Sequence, residues 1–200
     1  MMNKLIVDPL SKNSVIILRD ALSEEIYPII KSGRTLIILC IGTDRSTGDS
    51  LGPLVGHKLK FLIRNKVYLY GNLDNPIHAK NLEKTLKEIK DKFRNPYIIA
   101  VDACLGSIQN VGKIIIENKP LTPGSAVNKA LPKVGDLSIT GIVNISGAME
   151  FMVLQNTRLS IVMQIAEVIS RGIYHCILKT IGGKNTSIEL ENKSLTHINA

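Results

Sequence analysis

Two aspartates stand where a hydrolytic centre would need them. Asp49 lies in TLIILCIGTDRSTGDSLGP, just after an apolar run, and Asp102 follows another in YIIAVDACLG. Both runs read as buried strands of a parallel sheet, and in open α/β sheets sites form at the carboxyl ends of such strands. If the two strands are neighbours, the carboxylates face one another. Two close carboxylates cannot both ionise easily, so one keeps a proton. Such a pair can activate water, one member as base and the other as acid. The same pair could instead hold a divalent metal. Each aspartate also has a purely structural reading: Asp49 as the cap of the next helix, Asp102 as an acceptor for loop amides.

The surrounding residues could support either chemistry. Thr43, Ser46 and Thr47 can orient the carboxylates or stabilise a turn. Asp44 and Arg45 can contact substrate or pair with each other. Thr140, Gly141 and Asn144 in SITGIVN can form a lip of the cleft, or complete a strand end. His78 follows the second strand on the site side of the sheet. Cys104 shares a strand side with Asp102, but nothing nearby is placed to lower its pKa, so it reads as a small buried thiol. A phosphate cradle fits poorly, because the loop after the first strand lacks the lysine of a P-loop and sends an acid to the helix head.

The elements that must position these residues alternate between strand and helix patterns, the α/β signature. Strands are expected over residues 35–41, 67–70, 97–101, 111–117 and 137–143, with the third ending on Asp102. The short link around Gly106 and Asn110 suggests that the 111–117 strand runs antiparallel to its partner. Helices are expected over residues 15–31, bent or shortened by Pro28, from about residue 50, over 79–92, and from Gly147 to Gly172. In the last of these Met152, Leu159, Val162, Ile165, Ala166 and Ile169 are the inward candidates. Pro53 falls in the first turn of the second helix, where its missing N–H costs little. The long connection KPLTPGSAVNKALPKVGD is rich in Pro and Gly, and a connection of this length in a compact domain is often functional.

Composition bounds the function. With 200 residues, 44% hydrophobic and 21% charged, the chain is expected to be a single globular domain. No apolar stretch reads as long enough to span a bilayer, and the start is no signal peptide. Three cysteines without metal-ligand spacing fit free thiols in a reducing cytosol. The net charge of +8 is spread along the chain and aromatics are only 4%, so nucleic acid is an unlikely partner.

The stretches IGTDRSTGDSLGPLVG, YGNLDNPIHAKNLE, IIAVDACLG, PLTPGSAVNKALPKVGDLSITGIVN and GAMEFMVLQNTRL together resemble the YyaC-type sporulation proteins of endospore-forming bacteria, over residues 35–169. That family is similar to the germination protease, which degrades small acid-soluble spore proteins, and more distantly to the hydrogenase-maturation endopeptidases. The resemblance implies a three-layer α/β/α sandwich of the phosphorylase/hydrolase type, with a mostly parallel sheet and one antiparallel strand. Gly42, followed seven residues on by Asp49 and SLGP, and Asp102 with Ala103, match the protease's two aspartate motifs. The resemblance therefore implies an aspartate-dependent endopeptidase with Asp49 and Asp102 as its acid/base pair and spore proteins as substrate, in the cytoplasm of the sporulating cell or forespore. No cofactor is expected. The hydrogenase-maturation relatives hold nickel at the two acidic places with a histidine as third ligand, for which His78 is the best match; its structural reading is a residue capping the next helix. The chain is shorter than the germination protease and shows no propeptide. A homo-oligomer stays open, as do a non-catalytic binding module on the same fold and a metal-dependent hydrolase.

Overall fold

The computed structural model describes residues 4–62, 64–123 and 131–182. Six strands form one sheet: β1 (Leu5–Val7), β2 (Leu36–Cys40), β3 (Val67–Tyr70), β4 (Tyr97–Gly106), β5 (Ile114–Glu117) and β6 (Leu137–Ile145), in the spatial order β1-β5-β6-β4-β2-β3. β2 runs parallel to both β3 and β4, and β4 to β6. β5 is antiparallel to β1 and to β6, and is thus the single reversed strand. Its direction agrees with the sequence reading. Its partner is not the preceding strand, however, because β6 inserts between β4 and β5.

Among the described residues five α-helices flank the sheet: α1 (Ser14–Lys31), α2 (Leu51–Leu59), α3 (Leu82–Lys92), α4 (Glu150–Gln155) and α5 (Leu159–Ile181). One sheet face carries Leu36, Ile38, Ile99, Val101, Ile114, Ile116 and Ile139, packed with Leu18, Leu22, Leu51, Val55, Ile165 and Ile169 of α1, α2 and α5. The opposite face carries Ile37, Leu39 and Ala100 against Leu82 and Ile89 of α3 and against Leu121 and Val134 of the long connection. The result is a three-layer α/β/α sandwich. The period-two alternation of a strand divides the apolar runs between the two cores.

Several boundaries differ from the sequence reading for identifiable reasons. α1 runs through Pro28 to Lys31, because Pro28 sits on the exposed side near the helix end. The short β1 has too few residues to leave a pattern. The helical stretch after Gly147 is two helices, and Met152 and Leu159 are half exposed, whereas Val162, Ile165, Ala166 and Ile169 are buried as expected. Gly172 does not stop α5. By length and hydropathy α5 is apolar enough to cross a membrane, which the sequence reading overlooked, but over half of its apolar window is buried within the fold. Its apolarity is that of a core helix against the sheet and α1.

Gly172 marks the closest approach of α5 to α1. A Cβ there would come within 2.2 Å of Leu18 Cδ2 and 3.1 Å of Leu18 Cβ, and Leu18 is fully buried. Gly172→Val is therefore expected to destabilise the protein by about 1–3 kcal/mol through overpacking. A lower urea midpoint at unchanged slope would register that loss.

Candidate functional site

β2 and β4 are neighbours, but they end at different heights. β2 pairs with β4 only as far as Cys40 opposite Val101, and β4 continues to Gly106 beside β6. Asp102 therefore does not close its strand. It lies within β4, opposite Thr140, at the first position past the end of β2. The polar side chain interrupts the apolar run that the sequence reading followed, which is why the strand was expected to stop there.

At the end of β2 the chain turns within very little space. The Gly42 amide donates to the Ile77 carbonyl at 2.7 Å, and the Thr43 amide to the Asp49 carbonyl at 3.0 Å. Gly42 has φ +138°, and a Cβ on it would meet the Asp49 carbonyl oxygen at 2.0 Å. Only glycine fits this conformation and approach. On the far side of the turn, a Cβ on Gly52 would meet the Ile41 carbonyl oxygen at 2.0 Å. These contacts press the start of α2 onto the strand end and carry Asp49 to Asp102.

Asp49 sits in a single 3-10 turn, Gly48–Ser50, ahead of α2. The α2 N-cap is Ser50, and no side chain makes a capping hydrogen bond there. The capping role considered for Asp49 is therefore absent. Asp102 is 7% exposed, and its Oδ1 accepts the Ala103 amide at 2.8 Å. Burial, then the negative charge of Asp49, push the Asp102 carboxyl well above its ordinary value, against the pull of that amide. Asp49 is also raised by burial, with the Thr43 amide and His78 opposing the rise. Burial thus favours the protonated form of both carboxyls, and the charge of Asp49 adds to that at Asp102.

A cleft of about 570 Å³ opens over the pair. Of the residues singled out in the sequence, Thr43, Arg45, Ser46, His78 and Thr140 line it. Ser46 Oγ is buried and has no hydrogen-bond partner among the described residues. His78 holds the entry to α3: its amide donates to Asn81 Oδ1 at 2.8 Å, and its Nδ1 accepts the Lys80 amide at 3.3 Å. It thus serves the helix start and the cleft together.

Four expected residues lie outside the cleft lining: Asp44, Thr47, Gly141 and Asn144. Asp44 is exposed outside the cleft lining, and no ion pair joins it to Arg45 among the described residues. Asn144 is a tie between elements rather than a lip. Its Nδ2 donates to the Val153 carbonyl at 3.3 Å and to Thr157 Oγ1 at 3.2 Å, fixing α4 beside β6.

The apolar walls were not legible in sequence. Phe151 and Leu154 of α4 form one, and Leu121 and Leu131 of the long connection form another. Glu117 and Lys119, paired at 3.0 Å, lie at the same opening. Only the length and Pro/Gly content of the long connection signalled a role here, and residues 124–130 of it lie outside the described residues. The Cys104 thiol is pushed up to about 11, chiefly by burial, which leaves it protonated and a poor nucleophile. No group of three or more His, Cys, Asp or Glu side chains among the described residues is placed to hold a metal ion.

The raised Asp102 pKa has a consequence for stability. A carboxyl raised on folding favours the folded state fully only below its unfolded pKa, near 3.8, and that benefit is lost as pH rises through the folded value. Asp102→Asn is therefore expected to raise Tm at pH 7, with the gain shrinking towards zero near pH 4. Each kcal/mol relieved corresponds to roughly 2–4 °C. An unchanged or lower Tm at pH 7 would contradict the assigned burial cost.

Residues 7–172 match the family described as a protein of unknown function (DUF1256), and the chain belongs to that family. It is 50% identical over 159 residues to the uncharacterized protein YyaC of Bacillus subtilis (strain 168), covering 76% of this chain and 78% of that protein. Among solved structures it is similar to the [NiFe] hydrogenase maturation protease HycI from Thermococcus kodakarensis KOD1. That match has 20% identity and a TM-score of 0.40, and covers 74% of this chain and 98% of the other.

Proposed function

We propose that this member of the family is an endopeptidase-like hydrolase in which Asp49 and Asp102 activate water. The observation that carries the reading is the pair of carboxylates that share the floor of one cleft, Asp102 buried and Asp49 half-buried, both shifted towards the protonated form by burial. General acid–base catalysis needs one group of each kind in reach of one substrate bond.

Asp49, as carboxylate, takes a proton from water while the water oxygen adds to the amide carbon. Asp102 gives its proton to the departing nitrogen as the C–N bond breaks, yielding an acid and an amine. Transfer of the captured proton from Asp49 to Asp102 restores the starting state. Thr43 and His78 favour the ionised form of Asp49. The free hydroxyl of Ser46 is a donor available to water or to the substrate carbonyl. A metal-dependent reading would call on Asp49, Asp102 and His78, which line the same cleft. On our reading water activation rests with the carboxylates.

The resemblance to spore proteins supplies the biological setting. Small acid-soluble spore proteins are the substrate class it suggests, in the cytoplasm of the sporulating cell or forespore. The test compares wild-type and Asp49→Asn protein on a spore-protein extract, with mass spectrometry of new peptide termini. Termini made only by the wild type are expected, with single Asp49→Asn and Asp102→Asn variants slower by roughly 10²-fold or more. Wild-type rates in either folded variant would remove the mechanism. Stable variants that hydrolyse nothing yet support normal spores would favour the binding-module alternative.

The pH profile is a second test. Activity requires Asp49 ionised and Asp102 protonated, so kcat/KM should be bell-shaped. The acid limb should lie above pH 3.8, because Asp49 is itself raised, and the alkaline limb should report loss of the Asp102 proton. The two midpoints belong to the pair as a unit. A rate that climbs steadily into alkaline pH would contradict the acid role of Asp102.

A further inference from the structure

The backbone of β4 beyond Asp102 is an open strand edge at the floor of the cleft. In a parallel sheet, successive residues direct their N–H and C=O groups to alternate sides. The Tyr97 amide donates to Thr35 at 2.8 Å, and the Val101 carbonyl accepts from Ile41 at 2.8 Å, so odd-numbered residues of β4 face β2. The Ile98 carbonyl accepts from Asp136, and the Gly106 carbonyl from Ser146, both at 2.8 Å, so even-numbered residues face the β6 side. Ala103 and Leu105 therefore point their peptide groups to the β2 side, where β2 has already ended. The chain has left that line at Gly42, which turns to bond Ile77.

The Ala103 amide is taken by Asp102 Oδ1. The Ala103 carbonyl, the Leu105 amide and the Leu105 carbonyl have no hydrogen-bond partner among the described residues. Ala103 and Leu105 both line the cleft and are half-buried. Unpaired strand edges are templates for a further strand. A residue placed opposite Cys104 could donate to the Ala103 carbonyl and accept from the Leu105 amide, continuing the line of β2. Its neighbours would send side chains alternately to the Phe151–Leu154 wall and to the Leu121–Leu131 wall.

We infer that the Ala103–Leu105 edge captures a substrate polypeptide as an added β-strand, with apolar side chains flanking the bond presented to Asp49 and Asp102. This rests on the hydrolase reading for the fate of the peptide, but not for its capture. It identifies the substrate class as an unfolded or extended polypeptide segment, recognised first through its backbone.

The test uses the full-length Asp49→Asn protein, which is expected to bind without cleaving. The probes are fluorescein-labelled decapeptides with Leu, Val, Ala or Phe at the central positions, read by fluorescence polarisation. A single backbone N-methyl group is moved along the tightest binder. Methylation at alternate positions should weaken binding roughly tenfold, the effect of stranding a hydrogen-bonding group, while the intervening positions change little. Leu105→Pro in the same background removes the outward N–H without touching the β6 ladder, and should reproduce the loss. Leu105→Ala, which keeps the N–H, should retain most of the affinity. Uniform sensitivity to methylation, or no bound peptide, would overturn the inference. The methyl scan decides the matter even if Leu105→Pro fails to fold. Cleavage by the wild type without the alternating pattern sinks the edge and spares the hydrolase. The alternating pattern without any cleavage does the reverse.

Discussion

The site depends on one mismatch: β4 outruns β2. Where both strands are present, Ile38, Leu39, Ile99 and Ala100 are buried in continuous apolar layers. Five residues of β4 extend past the last paired position, supported by β6 alone. That overhang opens the cleft, places Asp102 at its floor and leaves a backbone edge beside it. The turn at Gly42 is the other half of the constraint. It has to leave the sheet within one residue and still admit the start of α2, which only the missing side chains of Gly42 and Gly52 allow. A side chain at either position would drive Asp49 away from Asp102.

The cost of the arrangement falls on the carboxylates. Asp102 is enclosed by a strand ladder and receives one amide donor, with a second acid as its electrostatic neighbour. A structural aspartate in such a place would be expected to pair with a cation, and none of the ion pairs among the described residues includes it. Cys104, two residues on, experiences the same desolvation and simply remains a thiol. On the proposed mechanism, the microenvironment that silences Cys104 is the one that gives Asp102 its acid function. A thiol must lose its proton to act as a nucleophile, whereas a carboxyl that keeps its proton gains an acid function.

Asp102 was legible because it breaks a strongly apolar run, and Asp49 because it stands at the head of the helix that follows another such run. The apolar strand runs over 35–41 and 97–101 and the inward positions Val162, Ile165, Ala166 and Ile169 of α5 were legible for a related reason: burial imposes a pattern on sequence. What failed to show had no period. β1 has three residues. The insertion of β6 between β4 and β5 is a matter of tertiary order, which no local pattern records. Gly172 reads as a helix stop but serves a helix crossing, because the sequence does not reveal that Leu18 lies against it. Asn144 sits at the end of a strand near the site, and only the position of α4 shows that its amide binds Val153 and Thr157 instead. The cleft walls come from segments far apart in sequence, so Phe151 and Leu121 have no shared signature.

The two faces of the sheet are covered differently, and this explains why the cleft opens where it does. On one face α1, α2 and α5 form a continuous layer over apolar residues from all parts of the sheet. On the other, α3 packs near β2, and the long connection brings in Leu121 and Val134, bridged to one another by two 2.9 Å backbone bonds. Parallel sheets normally need helices on both faces, because their strands are apolar throughout. Here the residues of β4, β5 and β6 that face away from α5 include Asp102, Cys104, Glu117, Ser138 and Thr140, all of which line the cleft. A helix laid over them would bury polar groups without partners, at a cost of about 1–3 kcal/mol for each one left unsatisfied. Among the described residues, the polar stripe and the lack of a covering helix go together: the candidate site lies on the half-face that no described helix covers.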